Sequence, residues 1–175
     1  RAMKAFLHGT PVPTYTVHDS NQSVQITQAV QSVRPHTVCE IIKNLHLTDD
    51  LIKQIIDVQE KLHATLGRNR RRGAIGIYPL EAITLPITFT ADKPTNIKFH
   101  PLEADGVMNA AEIIEEHPTG KEYGHLLKDY DMYPYFVDAT GEVLTFEGFL
   151  KVYMESTDED ESEGEAKGML RPLTV

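Results

Sequence analysis

The chain has 175 residues, 41% of them hydrophobic and 25% charged, which suits one soluble domain with a real core and excludes a disordered polypeptide. No apolar run approaches the roughly 20 residues needed to span a bilayer. The single cysteine, Cys39, excludes an internal disulfide framework and a cysteine-based zinc site, and predicts a reducing, cytoplasmic setting.

The formal net charge of −9 belongs largely to one stretch: "ESTDEDESEGE", 155–165, holds seven acids and no base, and the rest of the chain carries 19 acids against 17 bases. Like charges this dense, with Ser and Gly between them, repel and stay solvated. The stretch therefore predicts a flexible acidic tail over 151–175, after a folded domain over 1–150. The chain opens on Arg1 with no signal-peptide pattern and is read as a fragment or a processed piece.

Residues 1–7, "RAMKAFL", read as the last turns of a helix, and Pro11 and Pro13 favour an extended chain after it. Residues 19–32 are polar and carry no period. "HTVCEIIKNL" fits a helix through Val38, Ile41, Ile42 and Leu45, or a strand through its β-branched residues, and both stay open. Then Thr48 offers an N-cap, Asp49 and Asp50 favour the positive end of a helix dipole, and Leu51, Ile52, Ile55, Val58, Leu62 and Leu66 recur every three or four residues. With Gly67 as the stop, this predicts an amphipathic helix over 49–66.

Residues 74–78 predict a strand ended by Pro79. Ile87 and Phe89 alternate with threonines in a second strand, and "NIKFH" gives a third. Asn109 and Glu112 have capping-box spacing before a short helix that Pro118 ends, and Thr119 and Glu122 repeat the spacing before another. "YPYFV", the turn "DATG" and "EVLTF" predict a hairpin. The mixture is of class α+β: one domain with a long helix, short helices and a mainly antiparallel sheet.

Chemistry is concentrated in "GRNRRRG", 67–73. Arg68, Arg70, Arg71 and Arg72 either complement the negative end of the preceding helix or bind phosphate through bidentate guanidinium contacts, and the residues alone leave the two readings even. Glu60 and His63, three apart on the helix, are acid–base candidates, although such pairs are more often a surface helix pair. The eight histidines have no metal-ligand spacing, so no metal site is expected. No nucleophile elbow or phosphate-binding P-loop is present.

Three blocks, "VQEKLHATLGRNRRRGAIGIYPLEAI", "IKFHPLE" and "EIIEEHPTGKEYGHLLKDYDMYP", follow one another in an order that resembles the beta subunit of archaeal and eukaryotic-type phenylalanyl–tRNA synthetases over about 1–144. The resemblance implies an editing module that hydrolyses tyrosine wrongly attached to tRNA(Phe). It implies tRNA(Phe) and the synthetase alpha subunit as partners, no membrane, and no cofactor in this domain. ATP and magnesium are implied for the alpha subunit. Of the family's editing pocket, only Leu144 is matched. From about 139 to 175 the chain instead resembles a segment of bacterial type IA DNA topoisomerases, without that family's nucleophilic tyrosine or acidic metal motif. The resemblance thus predicts a catalytically incomplete editing fragment. The alternatives are a non-catalytic RNA-binding or subunit-assembly module, and a fusion or chimera with the topoisomerase segment.

Overall fold

The computed structural model describes residues 7–9, 16–101, 104–145 and 150–156. Of the helix expected over 1–7 only Leu7 is described, and it is helical; residues 1–6 and the acidic run from 157 onward lie outside the described residues. The domain is α+β, as its pattern predicts. Strand β1 (Val24–Ile26) and a 3-10 turn (Gln28–Val30) occupy the polar stretch that has no legible period. Strand β2 (Val38–Leu45) settles the ambiguous segment as extended chain.

Helix α1 (Asp49–Ala64) begins where Thr48 predicts, the threonine hydroxyl accepting from the Leu51 amide at 3.3 Å. It ends at Ala64, two residues short of the expected last helical residue, Leu66. Strands β3 (Ile75–Pro79), β4 (Ile87–Asp92) and the short pair β5 (Lys98–Phe99) and β6 (Met108–Asn109) follow. Helix α2 (Ala110–Glu116) carries the complete capping box: Asn109 accepts from the Ala111 and Glu112 amides, and Glu112 accepts from the Asn109 amide. Helix α3 (Pro118–Tyr123) departs from expectation. It starts at Pro118, whose missing N–H costs nothing in a first turn, and it has no side-chain cap from Thr119.

Strands β7 (Tyr133–Val137) and β8 (Val143–Thr145) form the predicted hairpin, with β9 (Leu150–Ser156) after them. The hairpin turn is fixed by Asp138, buried against the turn backbone. Its carboxylate accepts from the Thr84, Thr140 and Glu142 amides and from the Thr140 hydroxyl. Burial alone would push this carboxyl up. The Thr140 hydroxyl and the three amides outweigh it and hold the group below the usual carboxylate range.

The main sheet has the order β1-β4-β7-β8 and is mainly antiparallel, β1 alone running parallel to its neighbour. One face buries Phe89 and Phe136, stacked at 4.3 Å between ring centroids, with Val30, Tyr78, Ile87 and Leu144 around them. A second cluster, Ile97, Ala110, Ile113, Leu127 and Tyr133, packs the short helices.

Composition and period do not announce a second sheet of three parallel strands, β2-β9-β3. Its central strand contains the first residues of the segment expected as a tail. Leu150, Val152 and Met154 alternate there with Lys151, Tyr153 and Glu155, a strand period that runs into the first residues of the acidic run. The three strands come from distant parts of the chain, and parallel pairing of that kind leaves no local turn signal.

Candidate functional site

The site is built where α1 hands over to β3. Gln59 and His63 are four apart, so they share one face of the helix, and both are buried. The Gln59 side-chain amide donates to the Ile75 carbonyl at 2.9 Å, and the Ile75 amide donates to His63 Nε2 at 2.8 Å. Two helix side chains thus satisfy both backbone groups of the first residue of β3, as a paired strand would.

Because Nε2 accepts, the neutral ring carries its proton on Nδ1, which lies 3.3 Å from Glu60 Oε1. Burial pushes the His63 pKa down, and the nearby Arg70 charge pushes the same way. Glu60 and the bond to Ile75 oppose them without prevailing. Both ring nitrogens of His63 are therefore engaged, Nε2 in holding the helix to the strand and Nδ1 with Glu60 on the same helix. Neither offers a lone pair to a substrate proton.

Between these elements, 65–73 form a compact left-handed turn. Arg68, Asn69 and Arg70 have φ of 49°, 53° and 65°, three successive non-glycine residues in a region that costs roughly 1–2 kcal/mol each. Gly67 permits the close approach: a Cβ there would lie 2.5 Å from the Gly73 carbonyl oxygen and 2.7 Å from that of His63. Amides of Arg68, Arg70 and Arg72 bond back to the Thr65, His63 and Gly67 carbonyls, so the turn closes on the end of α1.

The four arginines divide. Arg70 turns inward and is 6% exposed. Its Nη2 donates to Glu60 Oε1 at 3.1 Å, its guanidinium lies 4.5 Å from the centre of the Tyr123 ring, and its Nη1 is buried without a partner among the described residues. Arg70 is thus the bolt that holds the strained turn against α1 and α3. Arg68, Arg71 and Arg72 are exposed, and among the described residues none of them pairs with an acidic side chain.

One cation escapes a reading of the basic run alone. Arg34 reaches the turn from 37 residues away, its Nη1 donating to the Arg71 carbonyl at 3.0 Å. Leu144, the matched pocket residue, lies in β8 within the apolar core and is 8% exposed. No group of three His, Cys, Asp or Glu side chains among the described residues could hold a metal ion, and no helix among them is long and apolar enough to cross a membrane.

No protein-family model matches the chain. Curated relatives do. The phenylalanine–tRNA ligase beta subunit of Thermococcus sibiricus is 42% identical over 134 residues, covering 77% of this chain and 24% of the relative. This chain is homologous to a segment of phenylalanine–tRNA ligase beta subunits. The beta subunit of Archaeoglobus fulgidus is 37% identical over 164 residues, 90% of this chain and 30% of that protein. An alignment of that coverage necessarily extends past Leu144, where the resemblance read from the sequence changes.

The fold agrees. The crystal structure of an N-terminal fragment of the Pyrococcus horikoshii phenylalanyl-tRNA synthetase beta subunit superposes with a TM-score of 0.68 at 36% identity, covering 77% of this chain and 38% of that fragment. The chain spans less than a third of the length of these curated relatives.

Proposed function

We propose that this segment serves the editing of tyrosine-mischarged tRNA(Phe), and that its own part is to hold the tRNA backbone rather than to supply a complete hydrolytic centre. The observation that carries this reading is the divided turn. A strained, left-handed loop is held by a buried arginine so that three others face outward from one rigid base. Backbone strain at a surface concentrates where function requires it, and guanidinium groups pair with phosphate oxygens in two-pronged contacts. Homology to ligase beta subunits makes tRNA the polyanion of choice.

On this reading the alpha subunit is the partner in the parent enzyme and uses the ATP and magnesium, in a cytoplasmic setting. Leu144 belongs to the editing pocket only through its family match. The engagement of Glu60 and His63 in fold contacts favours the non-catalytic contribution. Discriminating tyrosine from phenylalanine needs buried polar groups for one hydroxyl. Hydrolysis needs a held water and donors for the developing oxyanion. Leu144 belongs to an apolar cluster with Val30, Ile87, Phe89 and Phe136.

The test is deacylation of tyrosyl-tRNA(Phe) and phenylalanyl-tRNA(Phe), with this chain and with a version carrying the relatives' downstream sequence. The expected result is tRNA binding by both and tyrosine-selective hydrolysis by the extended form alone. Equal selective rates would place the whole pocket within this chain. Hydrolysis by neither, with binding intact, would remove the editing role.

A further inference from the structure

The apolar residues that predict α1 are not the ones that fasten it. Of Leu51, Ile52, Ile55, Val58, Leu62 and Leu66, only Ile52 is buried. The helix is seated through Ile52, Gln59 and His63, which are seven and four residues apart and share one face. At 3.6 residues per turn, Leu51, Ile55, Val58 and Leu62 form a second stripe about a quarter-turn away. Val58 there is 55% exposed, Leu51, Ile55 and Leu62 are half-buried, and Leu66, just past the helix end, is 74% exposed. Among the described residues, neither apolar cluster of the domain takes in a residue of α1. Apolar area left in water is unfavourable in proportion to its extent, and the polar contacts of the other face do nothing to cover it.

The size of the stripe decides what can cover it. Leu51 to Leu62 spans about 17 Å of helix, and a helix with its side chains is about 10 Å across, so the stripe offers on the order of 200 Å². Separate chains that associate stably bury about 800 Å² each. A second copy of this chain is held too weakly by this face alone. A segment of the same polypeptide escapes that limit, because tethering turns association into an intramolecular step. Most of the length of the ligase beta subunits lies outside the part that this chain matches.

We propose that the stripe of Leu51, Ile55, Val58 and Leu62, continued by Leu66, seats another segment of the beta-subunit polypeptide, one that presents an apolar face to α1. The surface is an intramolecular dock, and it stands independently of the tRNA reading of the basic turn.

The test compares the 175-residue chain with the Thermococcus sibiricus beta subunit carrying this chain in place of its homologous segment. Val58→Asp combined with Leu66→Asp should leave the melting midpoint of the chain within about 2 °C of its starting value. The same pair should lower the midpoint of the subunit by about 5 °C or more, since two carboxylates are then pressed against an apolar face. Equal shifts in the two proteins, or a large loss in the chain alone, would return the stripe to the fold of this chain and overturn the proposal. A chain that sediments as a dimer, and as a monomer once substituted, would assign the face to a second copy and overturn it too. If the substituted subunit does not fold, Val58→Cys and Leu66→Cys decide, each labelled with maleimide and read by peptide mass so that Cys39 is counted apart. Labelling about tenfold slower in the subunit than in the chain supports the proposal. Equal rates overturn it, and so does slowing that appears only with the alpha subunit present.

Discussion

Two regions of this domain are held together by different physics. The four-stranded sheet is fastened by apolar contact, with Phe89 and Phe136 stacked and fully buried at its centre. Ile52 of α1 and Tyr78 of β3 are buried too, but the handover from α1 through the basic turn to β3 is fastened by polar groups: Gln59, His63 and Arg70 are buried there, while Val58 and Leu66 on the same helix and its end are 55% and 74% exposed. Apolar burial is non-directional and tolerates small shifts. A hydrogen-bonded network fixes one geometry and loses most when one member is removed. A surface that must present guanidinium groups in a set arrangement is served by the second kind.

The contrast is broken most severely in the sheet. Phe136→Ala should destabilise by about 3–5 kcal/mol, the usual loss for a buried aromatic, read by urea unfolding. A loss below about 1 kcal/mol would mean that the core collapses around the gap. In the polar unit, Arg70→Ala should cost about 2 kcal/mol, from its lost packing and the loss of a charge-assisted bond. Glu60 is half exposed and can turn to water, which keeps the figure below that of a fully buried pair. Arg70→Lys should not rescue, because an ammonium cannot both reach Glu60 and lie flat on Tyr123.

Acid should separate the regions by pH. His63 is held neutral, its folded pKa below the ordinary 6.5, so its contribution is complete above that value. Stability should fall as the pH drops from 6.5 toward the lowered value, because protonation removes the acceptor for the Ile75 amide. Asp138, whose pKa is also lowered, keeps its contribution until the pH drops below the ordinary carboxyl value of 3.8. Amide exchange should show the region around Ile75 loosening first and the β7–β8 turn later. Simultaneous loosening would contradict the separation. His63→Gln should abolish the first step and leave the second.

Much of this fold is legible in the sequence wherever a signal is local. Thr48 marks the start of α1, the Asn109–Glu112 box opens α2, and the β7–β8 hairpin follows its turn residues. The parallel sheet is not legible, since its strands are brought together from residues 38, 75 and 150 by contacts that no local period encodes. The division among the arginines is hidden for another reason. Four like residues in a run carry no pattern, and the left-handed turn that sends Arg70 inward is made of Arg and Asn rather than Gly. Arg34 escapes notice because only the folded chain places it beside Arg71. The spacing of Glu60 and His63 suggests acid–base chemistry, yet His63 accepts from the backbone of β3 and Glu60 accepts from Arg70 of the turn, partners that spacing cannot disclose.

The central claim is that one arginine of the basic turn holds the fold and three face phosphate. The measurement that tests it most directly pairs thermal unfolding with salt-dependent tRNA(Phe) binding, for Arg70→Gln alone and for Arg68, Arg71 and Arg72 replaced together by glutamine. The account predicts that the triple variant keeps its stability within about 0.5 kcal/mol, as exposed substitutions do, while its salt slope falls by about two to three units. It predicts that Arg70→Gln melts earlier and, while folded, keeps the full slope. A triple variant with an unchanged slope, or an Arg70→Gln variant that retains its stability and loses slope, would contradict it.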